Sequence, residues 1–326
     1  MTMVDKFLLK LFLAALPILV MTGFYIATDP FLVVHSYPDI TQVTGRHLEC
    51  NEDYTTTEYL LHNNVGKHIN AFVFGSSRAG LFRGASAERL FGTANYYNYS
   101  VASETLFGVE RKIAMLDNLG FELSSVLIGI DPGLLATTVN SKGHLYKKHP
   151  AVSGESMWDF QLTSYLDIYS LDFITGYWNL LRGKHALSQS GVPYILMEKA
   201  IASNIDSFYN ARSAMFPLQT DTLSFSNPVI GNDQYAMLDS IAHICSRRHC
   251  KCYLVIYPCW DQVKMAPADV AKLVGLFGQS SVFDFSGKNA VTADRHNYYE
   301  GVHFRQKIAD WILDSLATSG KTPEIR

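Results

Sequence analysis

The chain has 326 residues, 48% of them hydrophobic and 17% charged, with a net charge of −3. That length and apolar content supply a core large enough for one sizeable α/β domain, or for a domain carrying an insertion. The near-neutral balance, with no basic stripe interleaved with aromatics, excludes the electrostatic footprint of a nucleic-acid-binding protein.

The first predicted element is an apolar helix. Within KFLLKLFLAALPILVMTGFYIATDP, residues Leu11 to Ala27 carry no charge, and as a helix they cover about 26 Å at roughly 1.5 Å per residue. Adding Phe7, Leu8 and Leu9, with Lys10 reaching back to the headgroups, brings the segment to the ~20 residues a bilayer requires. Lys6 and Lys10 precede the run, whereas Asp29 and Asp39 follow it before the next cation, Arg46. That asymmetry places the N-terminus in the cytoplasm and the body outside the membrane. A retained anchor over residues 1–29 is expected. The competing readings are a cleaved signal peptide and a core helix. The signal peptide is the weaker fit because Tyr25 and Ile26 stand where a small-residue cleavage site belongs.

Residues 28–68 are polar and mixed, with a short helix expected in YTTTEYLLHNNVGKH. Beyond them, short apolar runs alternate with helical patterns, the signature of a parallel sheet covered on both faces. The predicted strands are AFVFG (71–75), YYNY (96–99), VLIGID (126–131), CYLVIYP (252–258) and VFDF (282–285). Helices are expected near 103–118, 233–249, 266–278 and 304–318. In the last of these, Phe304, Ile308, Trp311, Ile312 and Ser315/Leu316 share one face and predict packing on the sheet. Residues 135–230 break the rhythm. They are rich in Tyr, Trp, Leu and Ser, SYLDIYSLDFITGYWNLLRGK reads as helix, and the whole is expected to be a mostly helical insertion over the C-terminal edge of the sheet. The body is thus expected to span 30–326, with the insertion at about 135–230.

Five cysteines, Cys50, Cys245, Cys250, Cys252 and Cys259, leave at least one thiol unpaired even where disulfides are permitted. CSRRHCKC lacks a second Cys/His pair at zinc spacing, so a structural role is expected and no metal.

Ligands bind an open α/β sheet outside the carboxyl ends of its strands, which is where Gly75-Ser76-Ser77-Arg78 falls. A serine at such a turn either caps the next helix or is presented as a nucleophile beside free N–H groups. A nucleophile needs a base and the base an orienting acid. NYYEGVHF supplies both, with Glu300 and His303 three residues apart in a Gly-containing loop before the last helix. Asp294 and His296 in TADRHNYYE are the reserve acid and imidazole. Asp284 is expected to cap the turn after its strand. Asn98, formally a glycosylation acceptor in NYS, is expected at a buried strand end. No G-x-G-x-x-G or G-x-x-x-x-G-K-[ST] follows any strand, which speaks against a nucleotide binder.

FVFGSSRAG resembles the first block of the SGNH/GDSL hydrolase superfamily, with Ser77 at the nucleophile position and Ser76 where an Asp usually stands. YEGVHF resembles its last block, with Glu300 in place of the usual Asp. YNYSVAS, VLIGIDPG and VFDFSGKNAV lie between in the right order, and the likeness covers 70–134 and 252–318. It is nearest to the membrane-anchored SGNH-like proteins of bacterial envelope and exopolysaccharide systems, which include the teichoic acid D-alanyl transfer protein and alginate O-acetyltransferase proteins.

The resemblance implies a three-layer flavodoxin-like sheet and a Ser77–His303–Glu300 ester hydrolase or O-acyl (acetyl) transferase. The body would lie on the outer side of the inner membrane. The substrate would be a carbohydrate or acyl ester, a membrane-embedded acyltransferase would be a partner, and neither cofactor nor metal would be needed. It also implies oxyanion donors beside the Ser77 N–H. Ser100 stands nearest the superfamily's Gly, and its N–H can serve. Asp131 stands near the superfamily's Asn, where an ionised carboxylate cannot donate. A raised pKa would make Asp131 a donor; otherwise it is turned away and anchors the insertion. Arg78 is expected to hold an anionic substrate group or to pair with Asp131. The competing class, favoured by Asp131, is a non-catalytic scaffold or glycan-binding subunit of a polysaccharide assembly complex.

Overall fold

A computed structural model describes residues 2–37, 39, 48–183 and 192–318. Arg46 of the orientation argument and residues 184–191 of the expected insertion lie outside the described residues.

The chain begins with α1 (Met3–Thr28), closed by a capping box between Thr2 and Asp5, and continues into α2 (Glu52–Lys67). The first strand, β1 (Ala71–Phe74), runs into a short 3₁₀ segment (Ser77–Leu81) and α3 (Gly84–Phe91). Then come β2 (Tyr96–Asn98), α4 (Leu106–Asn118), β3 (Ser125–Ile130) and α5 (Pro132–Ala136). A helical stretch follows with α6 (Pro150–Ser153), α7 (Met157–Asp167), α8 (Leu171–Leu181), α9 (Val192–Ser203) and α10 (Ile205–Ala211). The chain returns through α11 (Asn232–Arg247), β4 (Lys251–Ile256), α12 (Pro267–Phe277), β5 (Val282–Asp284) and α13 (Gln306–Ala317).

All five strands are parallel, in the order β2-β1-β3-β4-β5. β1 and β3 are buried along their whole length, as strands covered on both faces must be. Successive side chains alternate between faces. Ala71, Val73, Leu127 and Val255 join one core with Ala87 and Phe91 of α3 and Ile308, Ile312 and Leu316 of α13, and α4 packs with α11. The strand order reverses between β1 and β3, the switch point at which open α/β sheets bind ligands.

The chain divides into two compact units, and the expected insertion divides with it. One unit joins Met1–Asn63 to Ser141–Ser188, and the other joins Asn64–Asn140 to Gln189–Arg326 and holds the sheet. The described residues 141–183 therefore fold with the N-terminal segment. In that first unit Asn51 is the linchpin. Its Oδ1 accepts from the Tyr54 N–H at 2.8 Å, starting α2, while its Nδ2 donates to the carbonyls of His144 and Lys147. The continuous helix expected over SYLDIYSLDFITGYW is broken at Ser170, whose hydroxyl accepts from the Phe173 N–H at 3.0 Å and starts a second helix.

The anchor-like α1 ends inside this unit. Asp29, in a left-handed conformation at φ 37°, accepts from the N–H groups of Val33, Val34 and His35 and from the Tyr37 hydroxyl. Tyr25 is buried in a core with Phe31, Tyr54, Phe160 and Phe173. α1 as a whole is long and apolar enough to cross a membrane, and none of its most apolar stretch is buried.

Candidate active site at the carboxyl edge of the sheet

The turn after β1 has little freedom. Gly75 has φ +140°, and a Cβ there would stand 2.8 Å from Tyr257 Oη, 2.9 Å from Ala79 Cβ and 3.1 Å from the Gly129 carbonyl. Only glycine meets both the conformation and the space. Ser76 follows with extended backbone and no side-chain capping bond, so the helix-capping reading of this Gly-Ser-Ser turn finds no support. Ser77 opens the 3₁₀ segment. Asn98, at the end of β2, pins that segment: its Nδ2 donates to the carbonyls of Ala79 (2.8 Å) and Phe82 (3.2 Å). Asn98 is therefore a positioning residue, a role that no local signal in NYS announced.

The second half of the site is the loop before α13. The Tyr299 N–H donates to the His303 carbonyl at 2.8 Å, and the Arg305 N–H donates to the Asn297 carbonyl at 2.8 Å, which pinches 297–305 into a narrow turn. From outside, the Gly301 N–H donates to the Met215 carbonyl, and the Trp260 N–H donates to the Gly301 carbonyl. Glu198 of α9 accepts from Arg305 and from the Tyr299 hydroxyl. Tyr194 of α9 stacks on Tyr299, with its ring 5.7 Å from that of His303.

These two pieces bring Ser77, His303 and Glu300 into line. Ser77 Oγ lies 2.7 Å from His303 Nε2, and His303 Nδ1 meets Glu300 Oε1 on its other side. Glu300 also accepts from the N–H groups of Val302 (3.1 Å) and His303 (3.0 Å). Burial pushes the Glu300 carboxyl up, but the bonds from His303 and Val302 outweigh it and hold its pKa below the ordinary value. An ionised carboxylate only accepts, so Nδ1 is the nitrogen that donates to Glu300, and in the neutral ring Nε2 is then free to accept from the serine hydroxyl. A hydroxyl whose proton is already directed at a base is chemically an activated nucleophile.

The remaining candidates sit elsewhere. Asp294 and His296 bond each other, Oδ1 to Nδ1 at 2.8 Å, with both side chains more than a third exposed. Asp284 accepts from the Ser286 N–H and pairs with Lys264, so it does cap its turn. Asp131 makes the pairing with Arg78 that was one of the arrangements expected of it. Its Oδ1 accepts from the Leu134 N–H at 2.9 Å, starting α5, and its Oδ2 pairs with Arg78. Those contacts use its oxygens as acceptors at the start of α5 and beside Arg78. Arg78 is spent in the same arrangement: it meets Asp131, donates to Cys259 Sγ at 3.3 Å, and lies 4.4 Å over the Tyr257 ring. Burial lowers the Arg78 pKa, but Asp131 and Cys259 more than reverse this, and it stays charged. The Ser100 N–H and hydroxyl both donate to Asn98 Oδ1, at 3.2 and 2.6 Å.

Tyr257 ties the floor together. A Cβ on Gly129 would fall 1.6 Å from its hydroxyl, so the ring occupies the space that Gly129 leaves open. Burial drives its pKa well above the usual phenol range. All five cysteines are free thiols, and among the described residues no cluster of His, Cys, Asp or Glu has the arrangement of a metal site. No family model matches the chain, and no curated protein matches it.

Proposed function

We propose that this chain is a membrane-anchored serine esterase or O-acyltransferase of the SGNH type, its body outside the cytoplasm, acting on an acyl ester of an envelope carbohydrate. The observation that carries this reading is the hydrogen-bonded line Ser77–His303–Glu300 at the carboxyl end of β1, beside the switch point of a 2-1-3-4-5 sheet. The burial of Tyr25 supports a retained anchor, since cleavage near it would open the core of its unit.

In this reading Ser77 Oγ attacks the acyl carbon while His303 Nε2 takes its proton. Glu300 accepts from Nδ1–H throughout and stabilises the imidazolium that forms. The carbonyl oxygen becomes an oxyanion facing the Ser77 N–H. The Ser100 N–H joins it by exchanging its 3.2 Å bond to Asn98. The imidazolium then returns the proton to the departing alcohol oxygen, leaving an ester on Ser77. Water completes hydrolysis, or a sugar hydroxyl completes transfer, each activated by the same Nε2.

The test is turnover of p-nitrophenyl acetate by the full chain in detergent, with labelling by a fluorophosphonate. Ser77→Ala and His303→Ala are expected to lose turnover by a factor on the order of 10⁴ or more, and Ser77→Ala to lose the label. One observation favours the alternative of a lapsed, glycan-binding scaffold: Asp131, near the superfamily's Asn position, is a carboxylate paired with Arg78 and supplies no side-chain donor to an oxyanion. A Ser77 that takes no label in the intact protein would support that scaffold.

A further inference from the structure

The first unit leaves its large apolar residues in an unusual place. On α7, Trp158, Leu162 and Leu166 are exposed, Trp158 at 86%, and on α8 so are Leu171, Ile174, Trp178 and Leu181. At about 100° per residue each helix divides into three faces. In α8 the buried face carries Phe173 and Leu180, the exposed apolar face carries Ile174, Trp178 and Leu181, and Asp172, Thr175 and Asn179 fill the third. In α7 the same division sets Phe160 and Ser164 inward, Trp158, Leu162 and Leu166 outward, and Asp159, Thr163 and Asp167 on a polar strip. A helix facing only water has no use for two apolar faces.

Both helices pack on the last turns of α1. The Phe24 ring meets Phe173 and Tyr177, Tyr25 meets Tyr165, and the Thr22 hydroxyl donates to Tyr165 Oη at 3.2 Å. A cavity of about 540 Å³ opens there, lined by Thr22, Ile26, Trp158, Leu162 and Tyr165 among others. Its polar groups satisfy one another, the Tyr25 hydroxyl donating to Gln161 Oε1 at 2.9 Å. Depth decides the occupant. A helix whose apolar run starts after Lys6 needs about 20 residues to cross the hydrocarbon, which brings it to about Ile26. The cavity is therefore level with the end of the apolar slab, in the leaflet away from the N-terminus. α7, α8 and the turn between them present Trp158, Tyr165, Tyr169 and Trp178 at least partly exposed, with Arg182 4.5 Å over Trp178, the residue types of aromatic belts and interfacial cations.

We propose that α7 and α8 lie in that leaflet, their exposed apolar faces among the acyl chains and one phospholipid acyl chain in the cavity between α1 and α7. The proposal rests on α1 as a membrane anchor and is independent of the ester chemistry. The experiment uses the full chain in phosphatidylcholine vesicles, comparing tryptophan quenching by lipid brominated in the acyl chain for the wild type, Trp158→Phe, Trp178→Phe and the double variant. All four proteins keep Trp260 and Trp311, which lie in the other unit, and the substituted positions are exposed, so folding is not at risk. Each single variant is expected to remove part of the quenching, and the double variant at least half. Equal quenching in all four proteins, or none, overturns the proposal. Loss confined to Trp178 overturns the occupied cavity. Absent quenching together with a cross-linked dimer through residue 158 assigns the face to a second copy of the chain. Alkaline carbonate extraction separates the underlying premise: a chain that is released refutes the anchor and the proposal together, whereas a chain that is retained and unquenched refutes only the proposal.

Discussion

The two units bury their side chains by different rules. In the sheet unit one large apolar core joins β1, β3 and β4 to α3 and α13. Tyr257 fits only because residue 129 has no side chain, and Phe304, Ile308 and Ile312 are fully buried under the loop that presents His303. The other unit has a smaller core and shows large apolar side chains on α1, α7 and α8, while its buried positions include Lys147, Lys148 and His149. Those side chains meet acids from α2 and α7: Lys148 faces Asp53, His149 lies 3.1 Å from Glu58, and Lys147 pairs with Asp159. One unit carries the Ser77–His303–Glu300 line at the carboxyl edge of its sheet. The other inverts the usual distribution, as expected where part of the surroundings is lipid.

The largest contrast expected between them is in rate. Replacing Ser77 or His303 removes on the order of 10⁴ or more in turnover, whereas Trp158→Phe leaves turnover in detergent unchanged.

Next comes tolerance of a single methyl group. Gly129→Ala drives a Cβ into the Tyr257 ring and is expected to cost about 3 kcal/mol or more. Gly23→Ala, with nothing within 4 Å of its Cβ, is expected to be close to neutral. Thermal unfolding of the two variants measures this directly, and equal losses would refute the packing account of the sheet unit.

Asp131→Asn is expected to be smaller, roughly 2–4 kcal/mol, because it leaves the Arg78 guanidinium without its carboxylate in a site where the two side chains are 12% and 16% exposed. Turnover should fall as the turn carrying Ser77 loosens. A rise in turnover would show instead that residue 131 faces the oxyanion.

The smallest effect concerns pH. Because the native Glu300 carboxyl titrates below its ordinary 4.5, its contribution to stability is whole above that value and fades as pH falls through the depressed one. The difference in Tm between the wild type and Glu300→Gln, worth roughly 1 kcal/mol, is therefore expected to be constant from about pH 7 to about pH 5 and to shrink below about 4.5. A difference that grows on acidification would mean that Glu300 is not held as the anion.

Much of this was legible before folding, and the residues show why. AFVFG, VLIGID and CYLVIYP are runs whose composition and length mark buried parallel strands, and each became one within a residue or two. Ile308, Ile312 and Leu316 repeat at the helical period and line the buried side of α13. Glu300 and His303 lie three apart, so their meeting needed only a tight loop. The division of 135–230 between two units was not legible, nor was the break at Ser170, since a serine inside an apolar run is ambiguous until its hydroxyl finds an N–H. Asn98 carried no mark of its bracing role, because its partners, the carbonyls of Ala79 and Phe82, belong to another segment.

Element type and the sharp turn that carries Ser77 follow from periodicity and glycine placement, which are local properties of the chain. Asp131 committed to Arg78, and KKH buried against the acids of α2 and α7, depend on contacts between distant segments. Such pairings are selected by which charges lose their water together, and that depends on how the elements pack.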